Sequence, residues 1–216
     1  MIAREAGGGR IDVSVAVAPG TPEWPGDTPY ACGWTSTIEG GASVNLSTIT
    51  SSPHVGTHAD APIHVRHGAG GVETLPLDAF DGPAYVLGVE GAVRDISLAE
   101  LEPRLPGPVS RLLLRTGRSV ASGVFPEDWP VLDAVCAAAL VARGLVLLGT
   151  DAPSVDRRTS TALATHHALF DGGACNLESL DLRGIADGWY DLTAYPVRLV
   201  GLDAAPVRAV LRPRQA

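Results

Sequence analysis

Apolar and polar positions along the chain follow two periods, and the strand period dominates. Residues 11–18 alternate and predict a strand, and residues 44–52, β-branched and rich in Thr and Ser, predict another. Residues 84–89, 111–116 and 145–149 are short apolar runs that read as further strands, the last of them buried. Helical signals are fewer. Ser97 with Glu100 makes a capping-box signature for a short helix. Residues 130–143, rich in Ala, Leu and Val, start at Pro130 and stop at Gly144, the clearest helix. Residues 161–170 predict a second helix, closed by Gly172 and Gly173. Residues 190–200 and 207–211 end the chain as strands, with Pro196 favouring an edge or bulge. Residues 19–29, dense in Pro and Gly, predict an ordered loop carrying Trp24. Strands outnumber helices and only some are separated by them. The expected fold class is therefore α/β with a mixed sheet, not a doubly wound nucleotide fold.

Composition narrows the setting. With 216 residues, 45% of them hydrophobic and 19% charged, the chain has the profile of one globular domain spanning 11–216, after a Gly-rich, flexible N-terminus at 1–10. The net charge of -8, with no cluster of basic residues, argues against nucleic acid and anionic membranes as partners. All 16 basic residues are Arg, so Schiff-base lysine chemistry is excluded. Cys32, Cys136 and Cys175 are odd in number and far apart, which fits reduced thiols and a cytoplasmic location. No signal peptide and no apolar run of membrane-spanning length is visible.

Candidate chemistry concentrates in one place. Four of the six histidines fall between Pro53 and His67, with the spacing His54-x3-His58-x-Asp60-x3-His64. On a helix, Asp60 would lie about 200° round from His58 and His64 about 240°, so the side chains would diverge. On an extended segment, residues of equal parity share a face, and 54, 58, 60 and 64 are all even. Pro53, Gly56 and Pro62 also disfavour a helix. Imidazoles and a carboxylate converging on one face suit zinc, with manganese or iron as alternatives; the competing reading is a loop of surface histidines. His67 has the wrong parity and reads as a solvated neighbour. His166 and His167, on the second predicted helix, point about 100° apart, so at most one is a ligand; a surface pair fits equally well. Glu178 alone reads as a solvated charge.

The string from His54 through Gly56-Thr57-His58-Ala59-Asp60-Ala61-Pro62 to His64 resembles the signature of the cyclase family of metal-dependent hydrolases. Further stretches are similar to its bacterial kynurenine formamidase group: the loop Thr21-Pro22-Glu23-Trp24-Pro25-Gly26-Asp27, Leu75-Pro76-Leu77-Asp78, Gly149-Thr150-Asp151-Ala152-Pro153-Ser154-Val155-Asp156, and His166-His167-Ala168-Leu169. The resemblance covers nearly the whole chain after Arg10, and the Trp-Pro-Gly-Asp loop narrows it to the formamidases.

The resemblance implies a swivelling β/β/α-type fold, usually oligomeric, as a homodimer or larger assembly. It implies two zinc ions per subunit: His54, His58 and Asp60 hold one, Asp60 bridges to a second held by His166, and Glu178 contacts both. His64 would be the catalytic acid/base and Trp24 a substrate contact; without the resemblance, Trp24 reads equally well as a loop anchor. The implied reaction is hydrolysis of N-formyl-L-kynurenine to L-kynurenine and formate in tryptophan degradation. The alternative is another amide or cyclic substrate, as in an isatin-hydrolase-like enzyme, with manganese in place of zinc. Thr57 stands where many formamidases carry a small residue such as Ala. Asp151 has no assigned role; it reads as an acidic strand end or as a support behind the metals.

Overall fold

A computed structural model of the chain describes residues 5–6, 9–91 and 93–214. Its strands, in chain order, are β1 (Glu5–Ala6), β2 (Arg10–Asp12), β3 (Ala31–Ser36), β4 (Leu46–Thr50), β5 (His58–Asp60), β6 (Asp81–Gly88) and β7 (Asp95–Ile96). They continue as β8 (Arg111–Arg115), β9 (Val131–Leu132), β10 (Leu147–Thr150), β11 (Cys175–Leu177), β12 (Gly188–Thr193), β13 (Ala204–Pro206) and β14 (Val210–Pro213). The α-helices are α1 (Leu98–Leu101), α2 (Ala134–Ala142) and α3 (Ala164–Asp171).

Eight strands form one mixed sheet in the order β1-β2-β14-β12-β6-β8-β10-β11. The pairs from β6 through β8 and β10 to β11 are parallel, and the rest are antiparallel. Strands buried on both faces read as unbroken apolar runs, which is why Leu112-Leu113-Leu114 lacks alternation. Leu113 and Leu147 face one core, shared with Phe80, Leu177 and Leu211. Leu112, Leu114 and Leu148 face the other, shared with Cys136, Leu140 and Leu169 of α2 and α3. The mixed α/β class expected from the strand-to-helix balance is the one observed.

Several boundaries move for identifiable reasons. The helix predicted from Pro130 starts at Ala134, because Val131–Leu132 pairs with Asp95–Ile96 as a short parallel ladder. Asp133 is the true N-cap, its carboxylate accepting from the Cys136 amide at 2.6 Å. Gly144, at φ +99°, lies just past the helix end as expected. The capping box at Ser97 does not form: the helix there is a single turn, Ser97 makes no side-chain cap bond, and Glu100 pairs with Arg94 instead. The strand expected over 11–18 shortens to β2, with Ser14 adding one bridge to Leu180. Pairing already begins with Glu5 opposite Ile11 and Ala6 opposite Arg10, within the stretch expected to be flexible. Positions 1–4 and 7–8 of that stretch lie outside the described residues.

The strand β3 went unrecognised in the sequence. It pairs with β4 into a ribbon in which nearly every residue is exposed. The strand expected over 44–52 is β4, marked by its β-branched composition; β3 lacks a core-facing stripe, which is what periodicity detects. No helix among the described residues is long and apolar enough to cross a membrane.

Replacing Asp133 with Ala should cost about 1 kcal/mol of stability through loss of the α2 cap. Urea unfolding monitored by circular dichroism measures this; an unchanged midpoint would remove Asp133 as the cap.

Candidate metal centre

The centre forms where β5 meets Glu178, the residue just after β11, in an isolated antiparallel bridge. The His58 amide donates to the Glu178 carbonyl at 3.3 Å, and the Glu178 amide donates to the His58 carbonyl at 3.0 Å. This reciprocal pair sets the two side chains next to each other. Asp60 lies two residues along β5 on the same face, as parity requires. The third contributor, α3, is held at its N-terminus by Asp156. That carboxylate accepts from the amides of Thr165 and His166, each at 3.0 Å, and from His166 Nδ1 at 2.7 Å. One acidic side chain thus caps the helix and fixes the His166 ring.

Parity explains only part of the convergence. His58 and Asp60 are in extended backbone, but His54 lies in the turn before it and His64 ends a 3₁₀ turn at Pro62–His64. The expectation of one extended strip aiming all four side chains is therefore wrong. Gly56, at φ +77°, turns the chain between His54 and His58; a Cβ there would lie 2.5 Å from Val17 Cγ2. The rings still gather: His54 is 4.9 Å from His58 and 4.6 Å from His64 between centroids, and His64 is 5.9 Å from His166. His67 is exposed, as expected, and His167 is half-buried beside the inward-facing His166.

The donor atoms form two groups around two carboxylates. Asp60 Oδ1 lies 3.4 Å from His58 Nε2 and 3.1 Å from His54 Nδ1, and Glu178 Oε2 lies 3.4 Å from His58 Nε2. On the other side, His166 Nε2 lies 3.3 Å from Asp60 Oδ2 and 3.2 Å from Glu178 Oε1. His58, Asp60 and Glu178 can each present one ligand atom within 4.8 Å of the others, and so can His54, Asp60 and His64. The Gly56 carbonyl, 2.9 Å from His58 Nδ1, fixes the tautomer that leaves Nε2 bare.

This donor set fits a metal ion. His58 Nε2 and Asp60 Oδ1 are buried without a hydrogen-bond partner among the described residues. His54 Nδ1 is near Asp60 Oδ1 in distance but not aligned to donate to it. Buried polar atoms are left unpaired only at a cost of about 1–3 kcal/mol each, unless something binds them. The charges agree. Burial alone would raise the Asp60 carboxyl, yet the surrounding His58, His166 and His54 hold it well below the usual carboxylate range. Burial and the neighbouring Asp60 push Glu178 up, and His166 and His58 more than offset them. Burial opposes protonation of His54, but Asp60 and Asp203 raise it to about 9. Two buried carboxylates kept ionised side by side require concentrated positive charge next to them.

Three supporting residues carried no signal that sequence spacing reveals, or a weak one. Asp203 Oδ2 lies 2.9 Å from His54 Nε2 and 3.1 Å from His64 Nδ1, so one carboxylate orients both rings. It arrives through pairing of β13 with β5, where the Ala61 amide donates to the Asp203 carbonyl at 2.8 Å. Asn176 donates through Nδ2 to Asp60 Oδ2 at 2.7 Å and to Glu178 Oε1 at 3.1 Å. Its parity with Glu178 was the one available clue. Asp156 stood in a recognised motif without a role. Asp151 from the same motif is a strand-end clamp: its carboxylate accepts from the Thr116 amide and hydroxyl and from the Gly117 amide. Thr57 is also structural, its hydroxyl bonding the Val15 amide at 2.9 Å and the Ser179 carbonyl at 2.7 Å.

The donors open onto a cavity of about 690 Å³ whose lining includes Trp24, Phe125, His54, His64, His166 and Asp203. Trp24 packs edge-on against Phe125 at 5.5 Å and Trp129 at 6.0 Å between centroids. Trp129 Nε1 donates to the Asp156 carbonyl at 2.9 Å. Trp24 is therefore both a packed anchor and a cavity wall.

Comparison with known proteins agrees with this arrangement. The model of the Cyclase family matches residues 11–157. The chain is 45% identical over 213 residues to a kynurenine formamidase of Salinibacter ruber, covering 94% of this chain and 96% of that protein. It is 39% identical over 201 residues to a kynurenine formamidase of Bordetella pertussis, covering 93% and 96%. A solved structure described as a potential metal-dependent hydrolase with cyclase activity superposes with a TM-score of 0.81 at 27% identity, over 96% of this chain and 98% of that one. Isatin hydrolase A from Labrenzia aggregata, at 19% identity and a TM-score of 0.79 over 94% and 92%, shares the fold. With its family model spanning most of the chain and its relatives matching almost end to end, the protein belongs to the cyclase family and is a metal-dependent hydrolase.

Proposed function

We propose that the protein hydrolyses N-formyl-L-kynurenine to L-kynurenine and formate, as a cytoplasmic enzyme of tryptophan degradation, with two zinc ions per subunit. The observation that carries this reading is an aromatic wall facing a metal-fit donor set in one cavity, in a chain 45% identical to a protein named kynurenine formamidase. An aryl formamide presents a flat ring and a small acyl group, and such a cavity accommodates both. His54, His58, Asp60, His166 and Glu178 are the ligands in this reading, with Asp60 and Glu178 each offering one oxygen to either side. When bound, zinc supplies water activation at neutral pH and polarisation of a carbonyl oxygen; manganese could fill the same role.

The chain's own residues do the rest. Trp24 packs against the substrate ring and orients the formyl group towards the carboxylate pair. With Asp203 accepting from His64 Nδ1, the Nε2 atom of His64 is left to take a proton. Water adds its oxygen to the formyl carbon and yields a proton to His64. The C–N bond then breaks as His64 returns that proton to the aryl nitrogen, releasing the amine and formic acid, which gives up its remaining acidic proton to solvent as formate. Asp203 keeps the ring turned correctly and stabilises it while charged. The fold shared with isatin hydrolases does not separate a linear formamide from a cyclic amide, so isatin belongs in the same assay.

The homo-oligomer implied by the family resemblance has a concrete candidate surface. The β3–β4 ribbon and its turn expose Trp34, Ile38, Val44, Leu46 and Ile49, with Trp34 and Ile49 each 67% exposed. An isolated two-stranded ribbon is marginal in water, and contiguous exposed apolar residues mark contact surfaces. A second copy of the chain covers them in this proposal.

Purified protein should release formate from N-formylkynurenine, lose that activity on chelation and regain it with zinc. Turnover of isatin but not of the formamide would replace the proposed substrate. His64→Ala should retain its zinc by elemental analysis while kcat falls roughly 10²- to 10⁴-fold; loss of zinc instead would make His64 a ligand, as its position near His54 and Asp60 also permits. In Trp24→Ala, the KM should rise more than the kcat falls, and unchanged kinetics would exclude Trp24 from the substrate site. Sedimentation should show a dimer or larger species that Ile49→Asp converts to monomer; a monomeric parent protein would end the oligomer proposal.

A further inference from the structure

We infer that Asn176 makes the two sides of the metal centre unequal, so that the His58 side holds its ion tightly and the His166 side holds its ion weakly. This inference rests on the metal reading above and adds to it which chain atoms set the order of filling.

A carboxylate oxygen has two lone-pair directions. On the His58 side those directions are open: Asp60 Oδ1 and His58 Nε2 have no hydrogen-bond partner, and both are buried. A cation arriving there relieves two orphaned atoms at once. On the His166 side the oxygens are already engaged. Glu178 Oε1 accepts from the Val155 amide at 2.8 Å and from Asn176 Nδ2 at 3.1 Å, which uses both of its directions. Asp60 Oδ2 accepts from Asn176 Nδ2 at 2.7 Å and has His166 Nε2 at 3.3 Å on its other direction, so a cation there takes only the place between Oδ2 and His166. A cation held by His166 Nε2 must therefore compete with amide donors for Glu178 Oε1.

Asn176 cannot step aside by rotating its amide. Its Oδ1 accepts from the Asp60 backbone amide at 3.1 Å, which fixes the NH₂ group on the carboxylate side. A flipped amide would set a carbonyl oxygen against two carboxylate oxygens and leave the Asp60 amide unpaired. Asn176 is fully buried, so no solvent softens either penalty. Asn176 is a positioning residue: it holds the two carboxylates in register and weakens one of the two subsites in doing so.

Titration of metal-free protein with Zn²⁺ against a chromophoric chelator tests this. Two steps are expected, the first at least about tenfold tighter than the second, the scale on which groups behind metal ligands act. His166→Ala should abolish only the weak step and His58→Ala the tight one. Asn176→Leu, similar in size but without donors, should narrow the ratio between the steps by about tenfold or more. Two equal steps, loss of the tight step in His166→Ala, or an unchanged ratio in Asn176→Leu would each overturn the inference while leaving a metalloenzyme in place. No zinc uptake by the parent protein would instead remove the metal reading itself. If Asn176→Leu fails to fold, the parent and His166→Ala titrations still decide the order of filling.

Discussion

Two ionised carboxylates buried side by side are the constraint around which this molecule is arranged. Asp60 and Glu178 are almost wholly out of solvent, and like charges in a low-dielectric interior repel strongly. Such a pair persists where imidazoles and amide donors surround it, and it draws a cation to the atoms they leave open. The backbone pairing of His58 with Glu178 is what makes the pair unavoidable, because it joins two segments that each carry an acid to the same point. Every other feature of the centre answers that placement.

The answers are layered. Gly56 and Asp156 fix the rings of His58 and His166 from behind, and Asp203 fixes His54 together with His64. Asp156 also ties the metal centre to the aromatic wall, because its carbonyl anchors Trp129, against which Trp24 packs. A shift in the segment after β10 would move the ring of His166 and the cavity wall together. The same segment begins at Asp151, whose clamp on Thr116 and Gly117 joins it to the end of β8. The stretch from Asp151 to Asp156 is thus a strut between the sheet and the cavity, which accounts for two acids that otherwise do no chemistry.

The donor set is compatible with several hydrolytic reactions, because water activation does not depend on what is attacked. The wall that shares the cavity with the donors presents Trp24 and Phe125, with Trp129 wholly buried behind Trp24; under the proposed function, the preference for a flat ring lies there. The chain is similar in sequence to proteins named kynurenine formamidase and shares its fold with isatin hydrolases, and a fold by itself does not fix a substrate.

Local pattern alone determined a good deal of this protein. The apolar runs marked β6, β8 and β10, Gly144 marked the end of α2, and the even spacing of His58 and Asp60 put both on one face of a strand. These features depend on neighbours in the chain, so the chain order records them. The family signature went further and singled out His54, His64, His166 and Glu178, but parity offered the wrong reason for two of them: a glycine turn and a 3₁₀ turn, not an extended strip, bring His54 and His64 inward. Only tertiary structure decided on Asp203, which reaches the centre through β13 pairing with a strand far earlier in the chain. It also decided on Asn176, whose importance lies in which oxygens its amide occupies, and on β3 with its pairing to β4: β-branched composition marked β4, but the exposed β3 has no buried stripe to leave a period. Contacts between distant segments have no spacing rule, and a side chain's choice between two lone pairs is a matter of ångströms that residue order does not encode.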